Sequence, residues 1–159
     1  MRSLPFRAIL IALVLVAAPA LAVSVAAMAP EPSDQPTKVE DADLERAIAL
    51  VWAEEYAEAE PLLQAALKRN PKDPDAWNYL GFVTRKLGNF EAARGYYFNA
   101  LRLDPGHLKA MEYLGELYLQ TGEPDLARDL LARITTLCRN ECEERDQLAA
   151  AIEAHMTTN

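Results

Sequence analysis

From Leu44 to the C-terminus, apolar residues recur every three or four positions, and the pattern is broken at short intervals by glycine, proline or a polar cluster. That spacing predicts seven antiparallel helices over residues 43–54, 56–69, 74–87, 90–103, 108–121, 124–138 and 142–156, with no strand between them. Residues 30–43, PEPSDQPTKVEDAD, are polar, proline-rich and aperiodic, and they read as a tether. Before them, residues 8–29 run without a charge.

The helical part repeats itself. At a spacing of 34 residues, Leu80 recurs as Leu114, Gly81 as Gly115, Gly88 as Gly122 and Ala93 as Ala127. In the other direction Phe90 aligns with Tyr56, Ala93 with Ala59, Ala100 with Ala66 and Pro105 with Pro71. A fixed period of this length marks a solenoid of stacked two-helix units. Trp77, Leu80, Gly81, Gly88, Phe90, Ala93, Tyr97, Ala100 and Pro105 together resemble the tetratricopeptide repeat. The resemblance implies an all-α fold, an α-solenoid of about three repeats (40–73, 74–107 and 108–141) within a domain spanning 43–156. The third unit has Arg139 in place of the terminal proline, and the first has Arg46-Ala47 where Leu-Gly is expected.

The pattern also has direct physical reasons. Gly88 and Gly122 fall between helices, where a left-handed residue closes the first helix at little steric cost. Gly81 and Gly115 fall inside helices, where glycine costs about 1 kcal/mol relative to alanine, so close helix packing must offset it. Phe90, Ala93, Tyr97, Ala100 and Leu101 lie at helical spacing and predict a buried face. A stacked array needs capped ends. Continuing the frame past Glu141 puts Leu148, Ala149 and Ile152 where Leu114, Gly115 and Tyr118 stood, so residues 142–156 are expected to form a C-terminal capping helix.

The N-terminus suggests export. Arg2 and Arg7 precede an aliphatic run and the small-residue site Ala20-Leu21-Ala22, the layout of a signal peptide over residues 1–22, with a tether following at 23–42. The alternative is an uncleaved anchor reaching residue 29, which would leave the domain facing the periplasm from the inner membrane and is the sole membrane attachment expected. The periplasm, or secretion, is the expected destination. The chain carries 24 acidic against 16 basic residues and a net charge of −8, which argues against nucleic acid as a partner.

Cys138 and Cys142 are the two cysteines of the chain, and they flank the turn before the capping helix. In an oxidising compartment such a pair usually bridges. A redox pair and a soft-metal site are the alternatives. The acidic neighbours Glu141, Glu143 and Glu144 oppose a reactive thiolate, and no further ligands stand nearby for zinc. His155 would lie about 20 Å from Cys142 along a helix.

Catalysis is not expected. Serine occurs at Ser3, Ser24 and Ser33, all outside the repeats, and no phosphate loop or dinucleotide fingerprint is present. No cofactor or metal is expected. The repeat resemblance implies instead a non-enzymatic interaction module that docks a protein or peptide in a concave groove lined by the first helix of each unit. Carried over position by position, that groove comprises Leu44, Ile48, Val51 and Trp52; then Asn78, Phe82, Arg85 and Lys86; then Lys109, Glu112, Glu116, Leu119 and Gln120. Ile48, Trp52 and Phe82 form an apolar end beside the basic pair Arg85 and Lys86, suited to an amphipathic segment bearing an acidic residue. The lysine and asparagine clamp by which related chaperone-binding proteins grip a terminal carboxylate is not reproduced. A self-assembling envelope protein and a small redox or copper-handling protein built on Cys138 and Cys142 are the alternatives.

Overall fold

The computed structural model describes residues 41–158, and the expected signal peptide and most of the tether lie outside them. Among the described residues there are seven helices and no strand: α1 (Ala42–Trp52), α2 (Tyr56–Arg69), α3 (Pro74–Lys86), α4 (Phe90–Leu103), α5 (Leu108–Gln120), α6 (Pro124–Leu137) and α7 (Glu143–Thr158). No helix among them is long and apolar enough to cross a membrane.

Local chemistry sets the helix ends. The Asp41 carboxylate accepts from the backbone N–H groups of Asp43 and Leu44 and so caps α1. Asp73 caps α3 through the N–H of Ala76, with Pro74 at the first helical position, where its missing N–H costs nothing. Asn89 caps α4 through Ala92. In α5 the cap is a histidine: Nδ1 of His107 accepts from the N–H of Ala110, while Nε2 lies 3.1 Å from Asp75.

Three intra-repeat turns are built alike. The N–H groups of Glu55, Asn89 and Glu123 each reach back to a carbonyl five residues earlier, on Leu50, Thr84 and Tyr118. Each closure needs a left-handed residue just before it. Gly88 and Gly122 supply it with φ of 87° and 79°, and in the first unit Glu54 takes that conformation with φ of 60°. The weak match of the first unit therefore conceals a turn of the same design.

The in-helix glycines permit close approach. A Cβ on Gly81 would lie 2.7 Å from the Tyr97 ring, and one on Gly115 would lie 2.6 Å from a methyl of Leu148. In the first unit the equivalent residue is Ala47, itself fully buried. Arg46, at the position of Leu80 and Leu114, is exposed. Phe90 departs from the expected buried stripe and is 38% exposed at the first position of α4.

Helices α1, α3, α5 and α7 touch in sequence, whereas α2, α4 and α6 do not touch one another. The first-helix layer is thus the compressed, concave side of the stack. Two apolar clusters fill the interior. One joins α1, α2 and α3 around Leu44, Leu63 and Leu80; the other joins α4 to α7 around Tyr97, Leu114, Ile134 and Leu148. The capping helix buries Leu148 and Ile152 in the second cluster and leaves Ala149, the equivalent of Gly115, exposed, as a final layer should. Cys138, at the end of α6, and Cys142, before α7, have Cα atoms 6.0 Å apart, which is disulfide distance.

Candidate functional site

Four rows of residues, each repeating at 34-residue spacing, define the inner wall on α1, α3 and α5. Leu44, Asn78 and Glu112 are buried, as are Val51, Arg85 and Leu119. Ile48, Phe82 and Glu116 are half-buried, and Trp52, Lys86 and Gln120 are exposed. The sequence pattern assigned all of these to one lining. In the structure Asn78, Arg85 and Glu112 lie below the surface, and the accessible part of the wall consists of the half-buried and exposed rows together with Lys109. Trp52, 74% exposed, is no core residue.

Burial changes the meaning of the basic pair. Arg85 forms an ion pair with Glu116 at 2.7 Å, and its guanidinium lies 5.5 Å from the centre of the Phe82 ring and 5.8 Å from that of Tyr113. Desolvating a guanidinium is costly unless it is paired, and the Glu116 carboxylate and the two ring faces supply that compensation. Arg85 therefore braces α3 against α5 and is not available as a free cation. Lys86 is different. Its ammonium sits 5.3 Å over the Phe82 ring, faces solvent, and has no carboxylate partner among the described residues.

An aromatic series runs along this wall. Phe82 meets Tyr56 edge-on at 6.0 Å and Tyr113 at 4.7 Å, and Tyr113 in turn lies 6.4 Å from Tyr97. Burial pushes the Tyr113 phenol up to about 12 and holds Tyr97 higher still, so both remain neutral donors. Tyr113 was missed from sequence although the signal was present: Tyr79 stands at the same position one repeat earlier.

Beside Tyr113, Lys109 lies 2.9 Å from Glu112 and 3.5 Å from Glu144 of α7. Desolvation raises the Glu112 carboxyl to about 7 despite Lys109, with Glu116 and Glu144 adding to the rise. Glu112 is thus buried beneath the wall while Lys109 remains partly exposed above it. Towards the C-terminal end of the wall, Arg85, Lys86, Leu119, Gln120, Ala151 and His155 surround a shallow cavity of about 360 Å³, with α7 as its far side. Among the described residues no group of three or more His, Cys, Asp or Glu side chains is disposed to hold a metal ion.

A stack of helix pairs with a continuous inner wall defines a helical-repeat solenoid. The tetratricopeptide repeat model matches residues 44–97 and 83–141, and the chain belongs to that family. It is 32% identical over 109 residues to Protein FlbA of Caulobacter vibrioides, a match covering 69% of this chain and 18% of that protein. It is 35% identical over 69 residues to the human PEX5-related protein, covering 43% of this chain and 11% of that one. The chain thus spans less than a fifth of the curated relatives it matches. Among solved structures, the Yersinia enterocolitica type III secretion translocator chaperone SycD superposes with a TM-score of 0.66 at 20% identity, covering 73% of this chain and 82% of that one. The first repeat domain of Spaghetti (RPAP3), bound to the HSP90 peptide SRMEEVD, superposes with a TM-score of 0.62 at 19% identity, covering 70% and 89%. At these identities the structures attest the fold.

Proposed function

We propose that this protein is a non-enzymatic docking module of the cell envelope, which holds a segment of a partner protein against the concave wall of α1, α3 and α5. The observation that carries the reading is the alternation of buried and accessible rows. The wall keeps Trp52, Phe82 and Lys86 at its surface although burying Trp52 would be favourable by about 2 kcal/mol or more on area grounds. Exposed aromatic side chains flanked by a cation are what interface hot spots are made of. SycD has also been solved with a peptide of the translocator YopD, and the Spaghetti domain with an HSP90 peptide, which supports a peptide or protein as the ligand class.

The envelope location rests on the charge-free run at residues 8–29 behind Arg2 and Arg7. It agrees with the cysteine pair, which in an oxidising compartment would be a structural disulfide fixing the turn into α7. Intact-mass measurement of the exported protein, with and without alkylation, tests both: a mature start near residue 23 and no alkylated thiol are expected, and two alkylated thiols would remove the disulfide.

Docking is tested by placing a photo-crosslinking amino acid in the full chain at Trp52, on the wall, and separately at Phe98, on the outer side of α4. A discrete foreign adduct from the Trp52 position, absent from the Phe98 position and lost on Phe82→Ala at unchanged helicity, is expected. Adducts from Phe98 alone, or adducts to a second copy of this chain alone, would overturn the reading, the second in favour of self-assembly.

A further inference from the structure

We infer that the cavity between α3, α5 and α7 takes an aspartate or glutamate side chain of the docked partner, flanked by an aliphatic residue. This rests on the docking reading above and specifies the partner's chemistry at one point of the wall.

Charge and placement carry the inference. In a chain with a net charge of −8, this cavity places two cations, Arg85 and Lys86, beside one acidic side chain, Glu116. Glu116 is already engaged by Arg85 at 2.7 Å, and the two cancel. That leaves Lys86 as the cation directed at solvent, held in place by the face of Phe82. An ammonium lying on an aromatic face loses little side-chain freedom when it accepts a carboxylate, because its position is already restricted. The exposed amide of Gln120 supplies a neutral donor on the same rim.

The rest of the lining sets what must accompany the charge. Leu119 and Ala151 are the apolar sides of the cavity, Leu119 being 8% exposed at its floor. An aliphatic neighbour of the carboxylate covers them, and its methylenes displace water from the ion pair, which strengthens it. A cavity of about 360 Å³ admits a piece of chain two to three residues long, not a whole helix. The lysine and asparagine clamp that would grip a terminal carboxylate is not reproduced in this chain, and the cavity takes one wall from the capping helix. The internal acidic side chain is therefore the fitting ligand.

The test uses two blocked tripeptides as probes, leucyl-aspartyl-leucine and its isosteric leucyl-asparaginyl-leucine, titrated into the isotopically labelled full chain. The amide resonances of Lys86, Gln120 and Ala151 should move with the aspartyl peptide. The asparaginyl peptide should need about a five-fold higher concentration for the same shift, the size of one partly exposed ion pair. Lys86→Gln should abolish that preference at unchanged circular dichroism. Should Lys86→Gln fail to fold, Gln120→Glu, at an exposed position, places a competing carboxylate on the rim and should abolish it equally. Equal titration by the two peptides, shifts confined to other helices, or a preference that survives in either folded variant would overturn the inference. Failure here with the Trp52 adducts retained removes the acidic ligand and leaves docking intact. A persistent aspartyl preference with adducts from Phe98 alone removes the docking reading and leaves the carboxylate site.

Discussion

Glu54 occupies a backbone position that its two counterparts give to glycine, so Glu54→Gly should stabilise the protein. The left-handed conformation, with φ of 60°, costs a side-chain-bearing residue about 1 to 2 kcal/mol. Glycine removes that cost but returns about 0.5 to 1 kcal/mol through the freedom it gains in the unfolded chain. A second effect acts in the same direction. Glu54 lies just past the C-terminal end of α1, where the helix dipole is negative, and losing its charge there is worth about 0.3 kcal/mol or more. The net expectation is a gain of about 1 kcal/mol, or roughly 4 °C in Tm for a domain of this size. Urea unfolding of the full chain, fitted with a common slope, reads the difference. Hydrogen exchange in α1 and α2 localises it, since the end of a repeat array opens more readily than its middle. Glu54→Ala separates the two contributions, because it removes the charge and keeps the strained backbone, and should gain only a few tenths of a kcal/mol. The reasoning fails if Glu54→Gly is no more stable than the natural protein, or if Glu54→Ala gains as much.

Three further outcomes follow from the packing. Gly81→Ala should lose about 1 to 3 kcal/mol in urea unfolding despite its better helix propensity, because its methyl meets the rigid, fully buried ring of Tyr97. Gly115→Ala meets the rotatable end of Leu148 and should lose less, and equal losses would refute the distinction. Leu148→Ala empties a fully buried site beneath the capping helix and should cost about 2 to 5 kcal/mol, with α7 amides losing hydrogen-exchange protection first; uniform loss across all helices would deny α7 a separate role. Glu112, held near 7 by burial, keeps a proton in the folded state that it has lost in the unfolded state between about pH 4.5 and 7. Its stabilising contribution is full below that window and lost as pH rises through it, by about 1 to 2 kcal/mol after allowance for Lys109 and partial solvation. Asp41 and Glu123, whose carboxyls are lowered by Arg69 and Arg94, act only in more acidic solution. Urea midpoints at pH 5 and pH 8 should therefore differ in the natural protein and converge in Glu112→Gln; an unchanged difference would refute the assignment.

The helices were legible because each boundary is written in residues with one strong local preference: Asp73 with Pro74, Asn89, Gly88 and Gly122. The capping helix was legible from register alone. The turn at Glu54 was not, because glutamate carries no sign of a left-handed backbone and only its place in the 34-residue frame betrays it. The candidate wall was half legible. Position within the repeat named Ile48, Phe82, Lys86 and Trp52 as half-buried or exposed lining, but a one-dimensional pattern cannot say that Arg85 and Glu116 find each other across two helices and cancel. Nor could it bring Ala151 and His155 to the same cavity, since the groove register was carried through three units and the last helix was read purely as a lid.

The two apolar clusters, one under α1 to α3 and one under α4 to α7, meet at a junction where Gly81 of α3 admits the buried Tyr97 ring of α4. Near it the interior holds the polar residues Asn78, Arg85 and Glu112, and the bridging contacts on the concave side are the Phe82–Tyr113 pair and the Arg85–Glu116 ion pair. A segment lying across Phe82 and Tyr113 would act as a splint, adding contacts between α3 and α5 on the concave side. Occupancy would then register as a more sharply concerted unfolding of the repeats.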